Sequence, residues 1–212
     1  MAVRAVPDGD EYDKDIALAF RYAVDNGAKV INTSFGKYYS PHSQWVRDAI
    51  KYAADNDVLI VNAAGNDAKD LDTTEIYPND QVSNGPEISD NFLTVGALNY
   101  KYGSELVANF SNYGKINVDV FAPGVKIYAT VPNNKYKHLQ GTSMASPNVA
   151  GVAALIRSYY PKLKAGQVKQ ILMDSGLPIP SNVVLGDGNK KTFKEISTSG
   201  KIVKAYNALI MA

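Results

Sequence analysis

DVLIVNAAGN, residues 57–66, is an apolar run that stops in a turn of small residues. It reads as a buried strand running into a glycine turn. Immediately upstream, residues 43–55 place Trp45, Val46, Ala49, Ile50 and Ala53 on one helical stripe. Before that helix comes a second apolar strand, AKVINTSFG, residues 28–36. A helix over residues 13–27 precedes it, with Ile16, Ala19, Phe20, Ala23 and Val24 on its stripe. Asp13 and Asp15 suit its positive N-terminal end, and Gly27 closes it. MAVRAV, residues 1–6, reads as a strand already under way at the start of the chain. Strand and helix thus alternate with short connections. That pattern predicts an α/β fold, a three-layer arrangement in which a mostly parallel sheet is flanked by helices. Ligand sites in such folds lie at the carboxyl ends of the strands, here SFG and AAGN.

Downstream, the 24 residues from 67 to 90 are polar, a length that is usually functional or mobile in a compact domain. FLTVGAL, VDVFAPG and KIYATV read as further strands. TSMASPNVAGVAALIRSYYP reads as a closely packed helix. AGQVKQILMDSG and GKIVKAYNALIMA both carry helical periodicity. There is no internal repeat and no linker, so residues 1–212 form a single domain.

Composition narrows the function. With 22 Lys plus Arg against 21 Asp plus Glu, the net charge is +1. No basic field is present to recruit nucleic acid or an anionic membrane. With no cysteine, disulfides, thiolate catalysis and cysteine-ligated metals are excluded. The longest apolar run, VAGVAALI, falls far short of the roughly 20 residues of a membrane span. No phosphate-cradling glycine loop follows a strand, which excludes a nucleotide-binding reading.

Three positions carry candidate chemistry. Ser143, in GTSMASP (residues 141–147), opens a helix, where unpaired amides receive developing negative charge. A plain N-cap serine fits the same position. Asn66 ends a strand with a side-chain donor at the ligand edge, or is a turn residue in the left-handed region. Ser34, Phe35 and Gly36 offer main-chain groups to an extended peptide, or simply end a strand.

Taken together, these motifs resemble the subtilisin-like serine proteases, the subtilase family. GTSMASP matches the surroundings of that family's nucleophile over all seven residues, and AAGN matches the segment of its oxyanion asparagine. TVGAL, FSNYG and FAPG are similar too, in the same order, so the resemblance covers the whole chain. It implies catalytic roles for Ser143 and Asn66, with the Ser143 N–H as second oxyanion donor. It implies a substrate-binding strand at Ser34, Phe35 and Gly36. Ala63, Ala64 and Gly65 become a wall of the pocket for the residue before the scissile bond, and Thr142 flanks the nucleophile. Gln140 stands where many members have asparagine. The implied activity is that of a serine-type endopeptidase acting on polypeptide. The family's usual habit is export; no cofactor is identifiable, and structural calcium stays open.

The family's triad runs Asp, His, Ser along the chain. No VIDTG-like strand end and no HGTHVA-like helix start occurs in this sequence. The resemblance therefore describes the C-terminal part of a catalytic domain lacking the Asp strand and the His helix, inactive alone. His42 and His138, the two histidines present, stand outside the family's context for a base. The missing strand belongs between those matching MAVRAV and VINTSF. Its position is expected to stand empty, or to be closed by the first strand moving onto the second. The exposed edge invites self-association. The acidic run Asp8, Asp10, Glu11, Asp13 and Asp15 is a solvated helix start, a preference for a basic substrate residue, or a calcium site. The alternative function is a non-catalytic peptide-binding or scaffold protein with a degenerate protease fold.

Overall fold

The computed structural model describes residues 1–6 and 9–212. Asp8 of the acidic run lies outside the described residues. The elements in chain order begin with α1 (Asp13–Asp25), β1 (Val30–Thr33), α2 (Ser43–Asp55), β2 (Leu59–Ala63) and β3 (Phe92–Leu98). β4 (Val120–Pro123), β5 (Ile127–Val131), β6 (Lys135–Leu139), α3 (Thr142–Tyr159) and α4 (Ala165–Asp174) follow. Short pieces close the chain: β7 (Leu177–Pro178), β8 (Val183–Val184), β9 (Lys190–Lys191), β10 (Lys201–Ile202) and α5 (Ala205–Met211).

The central sheet runs β1-β2-β3-β4-β10-β7, parallel throughout except for β7 against β10. Alternate residues of β2 explain the three layers. Leu59 and Val61 point into the core shared with α3, α4 and α5, while Ile60 joins Phe92 against α1 and α2. Period-two alternation with both faces apolar is what a buried parallel strand requires.

Three expectations need correction. MAVRAV is not a strand: residues 1–6 have no regular structure and most are exposed. A strand needs a partner edge, and the β1 edge opposite β2 carries none among the described residues. A trough of about 660 Å³ separates the two, lined by Met1, Val3 and Ala5 on one side and Val30–Thr33 on the other. Of the two alternatives, the position is left open. Trp45 lies off the buried stripe of α2, 48% exposed and stacked on His42 at 4.2 Å. Only residues 205–211 of the last segment are helical, because Lys201–Ile202 pair into the central sheet first. As expected, Gly27 closes α1: Asn26 is its C-cap, and Gly27 follows with φ +83°.

The long connection after β2 is fastened to the core by a buried charge cluster. Lys169 of α4 pairs with Glu87 at 2.7 Å and lies 3.9 Å from Asp119. Asp80 is buried beside them, with no hydrogen-bond partner at Oδ2. Burial pushes its carboxyl up to about 7 against the pull of Lys169. A carboxyl raised in the folded state stabilises below its unfolded value of 3.8, and that stabilisation is lost as pH rises through 7. Asp80→Asn is therefore expected to reduce the fall in melting temperature between pH 5 and pH 8 by several degrees (roughly 5 °C). Thermal unfolding at the two pH values checks this; an unchanged difference would remove Asp80 as its source.

Candidate active site

α3 starts at Thr142, directly after Gly141, whose φ of +145° is a conformation that favours glycine. Ser143 is the second residue of the helix and half-buried. Pro147 shapes the surroundings of this serine. In a regular helix residue 147 would donate its N–H to the carbonyl of residue 143, and proline has none. The freed Ser143 carbonyl accepts the Ser34 hydroxyl at 2.9 Å instead. In return, Ser143 Oγ donates to the Ser34 carbonyl at 3.1 Å. Ser34 is itself held by Asn32, whose Nδ2 donates to Ser34 Oγ at 3.0 Å. Asn32 Oδ1 accepts from the fully buried Ser146 at 2.7 Å, and Ser146 Oγ also lies 3.0 Å from the Val61 carbonyl. Asn32 and Ser146 thus bind α3 to β1 and β2, a role that sequence reasoning missed.

Asn66 is oriented from the other side. The Thr142 N–H and hydroxyl both donate to Asn66 Oδ1, at 2.8 and 3.0 Å, and the Gly65 N–H donates to Thr142 Oγ1 at 3.0 Å. With Oδ1 occupied by two donors, the NH₂ of Asn66 is the group left to serve a ligand. Gly65 has φ +98°, and a Cβ there would fall 2.4 Å from Asn112 Nδ2 and 2.8 Å from Ile76 Cδ1. Only glycine fits. Asn112, from FSNYG, holds the whole turn: Nδ2 donates to the Ala64 carbonyl at 2.8 Å, and Oδ1 accepts from the Asp67 and Lys69 amides at 3.1 and 2.9 Å.

A cavity of about 370 Å³ brings together Ser34, Phe35, Gly36, Ala63, Gly65, Asn66, Thr142 and Ser143. Ala64 does not line it. Its side chain is fully buried, its N–H goes to the Val95 carbonyl at 3.0 Å, and its own carbonyl goes to Asn112. Glu11, Tyr38, Asp67 and Ile76 complete the lining; of these only Glu11 was named from sequence, as part of the acidic run. Ile76 and Asp67 sit in the long polar connection, whose length marks it as a candidate wall of the pocket without singling out either residue. Tyr38 donates to Asp67 Oδ2 at 2.6 Å; burial, then Asp67, pushes its hydroxyl up to about 12. Burial also raises Glu11, against the Gly36 amide and Lys37.

Among the described residues neither histidine lines this cavity or contacts Ser143. His42 stacks on Trp45, and its backbone N–H donates to Asp13 at 2.9 Å. His138 sits in β6, its Nδ1 3.1 Å from the Lys126 carbonyl and its ring tilted against Tyr128. Among the described residues no three His, Cys, Asp or Glu side chains are grouped to hold a metal ion.

Comparison with known proteins agrees with this geometry. A profile described as "Subtilase family" matches residues 1–199. The chain is 42% identical over 159 residues to a thermophilic serine proteinase of Bacillus sp. (strain AK1), covering 74% of this chain and 35% of that protein. It is 36% identical over 173 residues to subtilisin DY of Bacillus licheniformis, covering 82% and 58%. The chain therefore spans between about a third and three fifths of these relatives. Among solved structures, a lanthipeptide protease superposes with a TM-score of 0.76 at 26% identity, over 98% of this chain and 68% of that one. The prenylagaramide maturation protease PagA gives 0.75 at 27%, over 97% and 69%. The match over residues 1–199, with a mostly parallel sheet in a three-layer fold, places the chain in the subtilase family of serine proteases.

Proposed function

We propose that this chain is the nucleophile-bearing part of a serine endopeptidase that cleaves polypeptides through an acyl-enzyme on Ser143. The observation that carries this reading is the Asn66 amide, fixed through Oδ1 by Thr142 with its NH₂ left to donate beside Ser143. Ser143 Oγ adds to the scissile carbonyl as its proton passes to a general base. The carbonyl oxygen becomes an oxyanion held by Asn66 Nδ2 and the Ser143 N–H, which lies in the first turn of α3 and has no helical acceptor. The base returns the proton to the leaving amine, and water then cleaves the acyl-serine. The base and its orienting carboxylate come from polypeptide outside these 212 residues, since neither histidine meets Ser143. The open β1 edge and its trough are the place for further strand, and the same edge supports self-association of the isolated chain. Export of the whole protein follows the family habit. No helix among the described residues is long and apolar enough to cross a membrane.

A second reading, a domain that binds peptides without cutting them, draws on the engagement of Ser143 Oγ with the Ser34 carbonyl. Labelling with a fluorophosphonate separates the two. The chain extended through its native N-terminal coding sequence is expected to label at Ser143, and the 212-residue form is not. Ser143→Ala abolishes the label. An extended chain that stays unlabelled supports the binding reading.

A further inference from the structure

The hairpin formed by β5 and β6 carries its aromatic side chains outward. Ile127, Ala129 and Val131 of β5 are half-buried, and the alternate Tyr128 and Thr130 are exposed. Register sets His138 opposite Tyr128 and Tyr136 opposite Thr130, so these four side chains share the outer face. The rings form a row. Tyr128 stacks on Tyr136 with centroids 5.5 Å apart and 21° between planes, and His138 lies 4.9 Å from Tyr128. Lys126 stands at the end of the row, its Nζ 3.9 Å over the Tyr100 ring, a contact that leaves its charge unneutralised. Cross-strand pairing accounts for the contacts between the rings. It does not account for their exposure: Tyr128 is 63% exposed and Tyr136 57%, so more than half of each side chain still faces solvent.

Charge is segregated here as well. The net charge of +1 conceals that no Asp or Glu stands between Asp119 and Asp174, the stretch that holds Lys126, Lys135 and Lys137. Lys135 and Lys137 are exposed at alternate positions of β6 and add positive field around the row. Glu105, from the segment after Tyr100, is paired with Lys101 at 2.9 Å. Open ring faces in a row match the apolar C–H face of a sugar, and ammonium groups beside them match acidic substituents on it. An acidic peptide pairs with the lysines and leaves the ring faces uncovered. A polynucleotide depends on a broad basic field to neutralise successive phosphates, and the protein as a whole has none. We propose that the outer face of β5 and β6 binds an acidic polysaccharide, with Tyr128 and Tyr136 stacking on its sugars and Lys126, Lys135 and Lys137 meeting its acidic groups. Its role is to hold the protein on a charged glycan.

Binding does not require turnover, so the 212-residue chain is sufficient for the test. Isotope-labelled protein is titrated by NMR with hexagalacturonate, its methyl ester, hexaglutamate and hexathymidylate. Hexagalacturonate is expected to shift the resonances of Lys126, Tyr128 and Tyr136. It should bind about tenfold tighter than the methyl ester, which keeps the sugars and loses the charge, as a few exposed ion pairs allow. Hexaglutamate keeps the charge and loses the sugars, and should also fall about tenfold behind. Tyr128→Ala should weaken both sugar ligands about fivefold. Lys126→Gln, which leaves the rings in place, should weaken hexagalacturonate about threefold and the methyl ester not at all. Equal binding of hexaglutamate would make this a patch that reads charge alone, and tighter binding of hexathymidylate would assign it to nucleic acid. No shift with any of the four would leave the row as cross-strand pairing only. Each of these three results overturns the proposal.

Discussion

Given a chromogenic peptide ester or anilide, the 212-residue chain will turn over about 10⁶-fold more slowly than a subtilase with its triad complete. That magnitude is the one measured in subtilisin, a member of this family, when the serine or histidine is removed. The reason here is local. The proton of Ser143 Oγ rests on the Ser34 carbonyl, and a backbone carbonyl is too weak a base to take it at neutral pH. What survives is an oxyanion site without an activated nucleophile, worth roughly 10³ over water. Two variants divide this residue of activity. Ser143→Ala should leave it unchanged, because the serine is not activated. Asn66→Leu should lower it further, because the asparagine donates to the oxyanion whichever oxygen attacks. Turnover at ordinary protease rates that vanishes in Ser143→Ala would show that these residues contain a base after all, and would overturn the assignment.

The sheet was legible in the sequence wherever a strand is buried on both faces. VLIV and FLTVGAL are near-continuous apolar runs bounded by turn residues, and no other element accommodates them. MAVRAV misled for a physical reason: alternation marks a segment able to pair, and pairing also needs an edge within reach, which the trough beside β1 withholds. β10 was invisible because two residues carry no period, and its place beside β4 is set by tertiary contacts around Phe121 and Val203. At the site, sequence pattern supplied the residue types and the structure supplied their restraints. Asn112 and Ser146 act through amide and hydroxyl geometry across 48 and 114 positions of chain, and such partners leave no local pattern. Ile76 reaches Gly36 and Gly65 only because the folded connection from residue 67 to 90 carries it there.

Asp57→Ala will cost about 3–5 kcal/mol, lowering the melting temperature by roughly 10 °C. Asp57 joins three elements through one carboxylate. Oδ2 pairs with Arg157 of α3 at 2.7 Å, and Oδ1 accepts the Ala165 amide at 2.7 Å, capping α4 from a distance. Arg157 also donates to the Asp57 carbonyl at 2.9 Å and is only 8% exposed. Alanine leaves that guanidinium without its counter-charge, frees the α4 amide, and must hold φ +60° without the tolerance of aspartate for it. Burial works to raise the Asp57 carboxyl, yet the Ala165 amide and Arg157 hold it below the usual range. Its stabilisation is therefore present above the unfolded value near 3.8 and is lost as pH falls, the opposite of Asp80. Asp57→Asn keeps the shape, the left-handed tolerance and, with its oxygen on the Ala165 amide, the cap, but it turns its NH₂ toward the Arg157 guanidinium, so it should lose both the charge and that bond, about 2–3 kcal/mol. Chemical denaturation of the three proteins at pH 7 checks the order; equal stability of the alanine and asparagine variants would show that the pairing with Arg157 alone matters. The latch also bears on the site. Asp57 lies just before β2, whose far end delivers Gly65 and Asn66, and Arg157 lies near the end of α3, whose start is Thr142 and Ser143. One ion pair at the distal end thus helps set the register of strand against helix on which the 2.8 Å contact from the Thr142 amide to Asn66 depends.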